Sequence, residues 1–298
     1  MLKKALITTA ALSAPGIGLT IAAERLIRPR LFYTGDWHPD PPDAVRWPYD
    51  EAHIFTADGH ELQGWFFTAK RPGAPTLLFC HGTSYNASDM WVNAERADAF
   101  HDFLRTLGCS FLVFDYRGYG RHDGATTEEG TYTDAAAALA WLYERDDVDP
   151  ASIFFYGFSL GTGVATELAM REPSAGLILR APFTSVRGMI WDWFPRLRPV
   201  LGAAPWVPLT NYDNLAKIRR LDRPLLVMHG DNDQTVPEYM GQRIFEAAPE
   251  PRTYVSFPGG GHSDISTELV VPAIRQFIDG VIESGGGAGG SRQATAAS

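Results

Sequence analysis

Cysteine is nearly absent from this chain. Cys80 and Cys109 are the only two in 298 residues, so no disulfide framework holds it together. Both lie in apolar runs and read as buried free thiols; a single bridge between them is the alternative in an exported protein. An excess of positive charge is also missing. The 26 basic residues are outnumbered by 35 acidic ones, a net charge of −9 that argues against nucleic acid as the main partner. Charged residues make up only 20% against 45% hydrophobic, which excludes a disordered chain and suits a globular enzyme. No internal repeat is present. The length accommodates one large α/β domain with a sizeable core, and by itself permits two.

The longest run without a charged residue lies at the N-terminus. Residues 5–23 carry no charge and are bounded by Lys3 and Lys4 on one side and Glu24, Arg25, Arg28 and Arg30 on the other. As a helix this stretch rises about 28 Å, close to the hydrocarbon thickness of a bilayer. Thr8, Ser13, Pro15 and Gly16 dilute it. Residues 1–30 are therefore expected to be a membrane anchor, making the protein membrane-associated. The alternative is a cleaved signal peptide processed near Ala22 and Ala23, with export of the rest. Flanking charges nearly balance and do not set an orientation. Residues 284–298 are rich in Gly, Ser and Ala, and read as a flexible tail without chemistry.

Between these ends the pattern is regular. Residues 52–56 and 62–68 are expected strands around the turn Ala57-Asp58-Gly59-His60. Residues 76–80, 110–114, 152–156, 177–179, 225–228 and 253–257 are short apolar runs suited to strands buried on both faces. Helical spacing falls between them, at 94–107, 134–144, 160–171, 238–248 and 267–282. Strands alternating with helices predict an α/β fold, a mostly parallel central sheet covered on both faces. Chemistry then belongs at the carboxyl ends of the strands. Residues 185–224 break the alternation. They hold Trp191, Trp193, Phe194, Trp206 and Tyr212, and seven basic residues against three acidic ones, in a chain that is acidic overall. This window is expected to be a short inserted cap in which Trp191, Trp193, Phe194 and Trp206 line an acyl-binding groove and the basic residues hold the cap against anionic lipid. The plainer reading is a small satellite core under a solvated basic face.

Gly157-Phe158-Ser159-Leu160-Gly161 lies between an expected strand and an expected helix. Glycines there permit a turn tight enough to strain Ser159 and lift its hydroxyl above the sheet. The helix starting at Leu160 aims its N-terminal amides at the same point. A serine hydroxyl needs an adjacent base, and three histidines follow strand ends: His81, His229 and His262. His262, after Gly259-Gly260-Gly261, has the freedom to swing over the sheet. His81 and His229 read as packed core histidines, and a zinc site built from all three would leave the Ser159 turn unexplained. The carboxylate that orients the base falls in His229-Gly230-Asp231-Asn232-Asp233, where Asp233 is preferred and Asp231 is better placed to cap the loop. Amides of Leu160 and of Thr83, in the loop after Cys80-His81-Gly82, are the expected donors to an oxyanion; Ser84 or Tyr85 takes that role if the loop is shifted.

Taken together, these motifs appear in a characteristic order: His81-Gly82, Asp115-Tyr116-Arg117-Gly118-Tyr119-Gly120, the Ser159 turn, Ala181-Pro182-Phe183-Thr184-Ser185, His229-Gly230 with Asp233 and Val236-Pro237, and Gly261-His262-Ser263-Asp264. Over residues 45–283 the chain resembles the small α/β-hydrolases tethered to membranes by an N-terminal segment, a group that includes protein depalmitoylases and monoacylglycerol-lipase-like esterases. The resemblance implies the α/β-hydrolase fold, Ser159, Asp233 and His262 as catalytic triad, and Thr83 with Leu160 as oxyanion donors. Thr83 stands where relatives often carry Asn, a departure that bears on any side-chain role there. Tyr116 and Arg117 look structural, bracing the loop beneath the site.

The expected activity is hydrolysis of carboxylic esters or thioesters through an acyl-enzyme, with no metal or cofactor. Its substrate is a small-molecule or lipid-like acyl compound. Two alternatives remain open: an amide or peptide hydrolase with the same triad, and a non-catalytic binding protein on this fold.

Overall fold

The computed structural model describes residues 31–32, 42–193, 196, 211–285 and 292–293. The expected anchor, residues 1–30, lies outside the described residues, as do Phe194 and Trp206. Among the described residues no helix is long and apolar enough to cross a membrane.

The strands assemble into one sheet of order β1-β2-β4-β3-β5-β6-β7-β8-β9. Here β1 is Tyr49–Phe55, β2 Glu61–Phe67, β3 Thr76–Cys80, β4 Ser110–Phe114, β5 Ile153–Phe158, β6 Gly176–Arg180, β7 Leu225–Gly230, β8 Arg252–Phe257 and β9 Arg292–Gln293. β1 and β2 form the expected hairpin, with Gly59 at φ 89° in its turn, a conformation glycine adopts without strain. β2 pairs antiparallel with β4, and every later pairing is parallel. The two-residue β9 lies within the expected flexible tail and pairs with Thr253 and Tyr254.

Helices cover both faces, and the period of two along each strand decides which residues they meet. Leu78, Cys80, Phe155, Leu177, Leu179 and Val227 point to one face, under α2 (Glu128–Tyr143), α3 (Leu160–Arg171) and α6 (Glu238–Ala247). Leu77, Phe79, Phe154, Tyr156, Ile178 and Leu226 point to the other, under α1 (Ala94–Leu107) and α7 (Thr267–Glu283). Cys80 and Cys109 are both buried and free. The window 185–224 contributes α4 (Val186–Trp193) and α5 (Asn214–Ile218) to the described residues.

One helix differs from expectation. α2 starts at Glu128, six residues before the Ala-rich stretch that announces it, with the Thr127 side chain accepting from the Gly130 amide as N-cap. Gly130 and the β-branched Thr131 and Thr133 weaken local helix propensity and hide the start. The glycine is a packing requirement, because a Cβ there would sit 2.9 Å from Arg117 Cδ.

The topology fixes where a site can form. From β3 the chain goes to β4 on one side and then crosses to β5 on the other, so the loops after β3 and β5 diverge. That divergence opens a crevice at the carboxyl ends of these two strands.

Candidate active site

Ser159 sits between β5 and α3 with φ 51° and ψ −119°, a strained backbone for a residue with a side chain. Two close approaches hold it there. A Cβ on Gly161 would lie 1.9 Å from the Cys80 carbonyl oxygen, and one on Gly157 would lie 2.5 Å from the Gly161 oxygen. The Ser159 amide donates to the Arg180 carbonyl (3.0 Å) and the Thr162 hydroxyl to the Ser159 carbonyl (2.6 Å), pinning the turn to β6 and to its own helix.

The structure brings three of the expected residues into one line. His262 Nε2 is 2.9 Å from Ser159 Oγ, and His262 Nδ1 is 2.7 Å from Asp233 Oδ2. Asp233 Oδ1 accepts from the amides of Thr235 and Val236, each at 2.8 Å, so the carboxylate is held by its own loop. Burial works to raise the Asp233 carboxyl, but His229 and His262 outweigh it and hold the group well below its ordinary value. Asp233 therefore presents a carboxylate to His262 Nδ1, while His262 Nε2 faces the Ser159 hydroxyl. Asp231 does something else: its Oδ1 accepts the Gly259 amide at 2.7 Å and ties the β7 loop to the β8–α7 loop that carries His262.

The other two histidines are fully buried. His229 Nε2 donates to the Val236 carbonyl (2.9 Å), bracing the acid loop from below. His81 bonds the Gly82 carbonyl through Nδ1 (2.9 Å), and its Nε2 faces Asp115 Oδ1 at 3.6 Å. Burial pushes the His81 imidazole down to about 4 and the Asp115 carboxyl up to about 7, even though the Ala87 amide donates to that carboxyl. Tyr116 and Arg117 brace the loop beneath, as expected. The Tyr116 hydroxyl donates to the His81 carbonyl (3.2 Å), and Arg117 bridges Asp134 on α2 and Asp58 in the β1–β2 turn.

Beside Ser159 lies a narrow crevice of about 50 Å³ lined by Thr83 and Leu160, the two expected oxyanion donors, and by Phe183, Val186, Met189 and Trp193. As the first residue of α3, Leu160 has no intrahelical acceptor for its N–H. Of the expected cap residues, Trp193 reaches this crevice, and its Nε1 donates to the Thr235 carbonyl (3.3 Å). Trp191 is 38% exposed and does not line it. Phe183, Val186 and Met189 were not anticipated as lining residues. Phe183 lies in the Ala181–Ser185 motif, and Val186 and Met189 lie three apart on α4, a spacing that reads as core before the opposing wall is known.

A strained serine at a strand-to-helix turn, a histidine and a buried carboxylate at the carboxyl ends of a mostly parallel sheet define the α/β-hydrolase arrangement. Residues 75–201 match the family model described as alpha/beta hydrolase fold. The chain is 41% identical over 232 residues to an uncharacterized protein of Mycobacterium tuberculosis, spanning 76% of this chain and 77% of that one. It is 29% identical to the lysophosphatidylserine lipase ABHD12 of Xenopus tropicalis, over 74% of this chain and 56% of that longer protein. Among solved structures, the esterase Pf2001 of Pyrococcus furiosus superposes with a TM-score of 0.65 at 18% identity, covering 83% of this chain and 98% of that one. The chain belongs to the α/β-hydrolase superfamily.

Proposed function

We propose that this protein is a serine hydrolase that cleaves carboxylic ester or thioester bonds of acyl substrates through an acyl-enzyme. The observation that carries the reading is the continuous line Asp233–His262–Ser159, at 2.7 and 2.9 Å, ending on a strained serine. Ser159 Oγ attacks the acyl carbonyl as its proton passes to His262 Nε2, and the carbonyl oxygen becomes an oxyanion held by the Leu160 and Thr83 amides. Collapse expels the alcohol or thiol, which takes the proton from His262. Water, deprotonated by the same imidazole, then attacks the ester on Ser159 and releases the acid. Each oxyanion donor supplies about 2.7–4 kcal/mol in the transition state.

The apolar crevice lined by Phe183, Met189 and Trp193 is the proposed entrance for the acyl group. The test is labelling of Ser159 by a fluorophosphonate together with rates on p-nitrophenyl esters from acetate to palmitate. Absence of both labelling and ester turnover in folded protein overturns the reading in favour of a binding protein on this fold. Faster cleavage of matched amides would move it to the amidases.

Membrane association through residues 5–23 is part of the same proposal. Full-length protein is expected in the membrane fraction, and a chain starting at residue 41 in the soluble one. A mature N-terminus near Glu24 would establish export instead.

A further inference from the structure

A second cavity lies beside the loops that carry Ser159 and His262. It encloses about 340 Å³ and is lined by Tyr85, Arg96, Phe158, Arg180 and Ser263, over an aromatic floor of Phe79, Phe100 and Tyr156. Three of the loops that carry candidate catalytic groups lend it a neighbouring residue: Tyr85 from the Thr83 loop, Phe158 immediately before Ser159, and Ser263 immediately after His262. The Phe158 ring lies against His262, with ring centroids 5.2 Å apart, and the Arg180 guanidinium is 5.0 Å from the centroid of that same ring. This pocket is therefore on the base side of the serine, and the crevice with Thr83 and Leu160 is on the oxyanion side. An acyl-transfer step puts the leaving group beside the imidazole that protonates it and the acyl group on the other side.

The charges in the pocket are unbalanced. Arg96 is 3.6 Å from Asp89, whose other carboxylate oxygen accepts the Asn86 amide. Arg180 hydrogen-bonds the Tyr156 side chain and has no carboxylate partner among the described residues, and its Nε–H is buried without an acceptor. Its backbone is locked by the bond from the Ser159 amide, and its side chain is stacked on Phe158, so the guanidinium is held in place before any ligand arrives. A planar cation with no carboxylate partner, fixed over apolar walls, suits a phosphate or carboxylate. In a chain of net charge −9 such a preference has to be built locally.

We propose that Arg180 and the pocket around it form a leaving-group subsite selective for alcohols or thiols that carry a phosphate or carboxylate. The inference rests on the serine-hydrolase reading for the pocket's place in the reaction, and on the cavity itself for its affinity for anions.

The experiment compares kcat/KM for butanoyl esters of glycerol, glycerate and glycerol 3-phosphate in wild type, Arg180→Gln and Arg180→Lys. Wild type is expected to prefer both anionic esters about tenfold or more, the range of one charge-assisted hydrogen bond. In Arg180→Gln the preference falls to near unity, mainly through KM, and Arg180→Lys retains part of it. Equal rates on the three esters in wild type, or an unchanged preference in Arg180→Gln, overturns the proposal.

Calorimetric titration of glycerol 3-phosphate, with glycerol as control, into wild type and Ser159→Ala reads the pocket without turnover or an Arg180 variant. Failure of glycerol 3-phosphate to bind better than glycerol also overturns it. Loss of all ester turnover with glycerol 3-phosphate still bound would remove the hydrolase reading and leave the anion pocket standing.

Discussion

Exchanging one atom of Asp233 tests the candidate site most sharply. In Asp233→Asn the side chain has two orientations. With the amide oxygen in the Oδ1 position, the Thr235 and Val236 N–H groups keep their 2.8 Å acceptor, and the NH₂ faces His262 Nδ1. Nδ1 then has to accept, Nε2 carries the proton, and no atom is left to take a proton from Ser159. The flipped orientation restores the correct tautomer but turns an NH₂ toward two N–H groups. Each stranded donor costs about 1–3 kcal/mol, so the flip costs about 2–6 kcal/mol, a factor of roughly 30 to 2 × 10⁴ against the active form. In a serine protease the equivalent change lowers kcat by about 10⁴. We expect a loss of about 10²–10⁴ in kcat on p-nitrophenyl butyrate, with folding intact by circular dichroism. Asp231→Asn keeps its oxygen for the Gly259 amide and is expected to retain activity within a few-fold. More than a tenth of wild-type kcat in Asp233→Asn, or the reverse ranking of the two variants, refutes the reasoning.

Ser159→Ala is expected to lower kcat by about 10⁴–10⁶ and to abolish fluorophosphonate labelling; retention of a tenth of the activity would remove Ser159 from the mechanism. Trp193→Ala opens the crevice wall at a residue that is 40% exposed, so stability should change by less than about 1 kcal/mol. Its gain in kcat/KM with acyl chain length should flatten below the roughly fourfold per methylene that about 0.8 kcal/mol allows, and an unchanged profile would exclude Trp193 from acyl binding. Gly161→Ala puts a methyl into the Cys80 carbonyl and is expected to cost about 3 kcal/mol or more in urea unfolding, or to prevent soluble expression; a neutral effect would contradict the packing. The pair His81 and Asp115 sets a pH signature. Asp115, raised to about 7, makes stability fall as pH climbs from about 4 to 7, and His81, lowered to about 4, makes it rise between about 4 and 6.5. The two offset each other in wild type. Asp115→Asn leaves the rise alone, so the midpoint of thermal unfolding in the variant should climb relative to wild type over that window, and parallel curves would refute the coupling.

Much of this is legible in the sequence because the informative residues obey local rules. Buried parallel strands are short apolar runs, and the Gly-x-Ser-x-Gly turn, Asp233 and His262 each fall just after one. Asp231 and Asp233 were separable because one directly follows the glycine that ends β7 and the other has two more residues of loop to reach the histidine. The start of α2 was not legible, because its first turn is built for Arg117 rather than for helix propensity. Nor were the crevice walls or the Arg180 pocket. Phe183, Met189 and Arg180 become neighbours of Ser159 only when β6 pairs with β5 and α4 folds back over the strand ends. Trp191 and Trp193 are two apart on a helix, so one facing the crevice takes the other away from it.

The distribution of irregular backbone supplies a further argument that the carboxyl end of this sheet is the working end. Five non-glycine residues among those described have positive φ: Arg46, Ser84, Ser159, Ala181 and Tyr212. Three of them, Ser84, Ser159 and Ala181, lie just past the carboxyl ends of β3, β5 and β6, the strands that surround the crevice. The same end holds the His81–Asp115 pair, whose 3.6 Å separation is too long for a hydrogen bond, and Arg180 with its unmet Nε–H. Each such feature costs of order 1–3 kcal/mol, and a fold selected for stability alone would shed them. The large apolar cores on both faces offset that cost, so the strain persists because the surrounding packing over-determines it. Substitutions that relax Ser84, Ala181 or Asp115 should therefore stabilise the protein at the expense of the site. Stabilising changes at the opposite ends of the strands carry no such penalty.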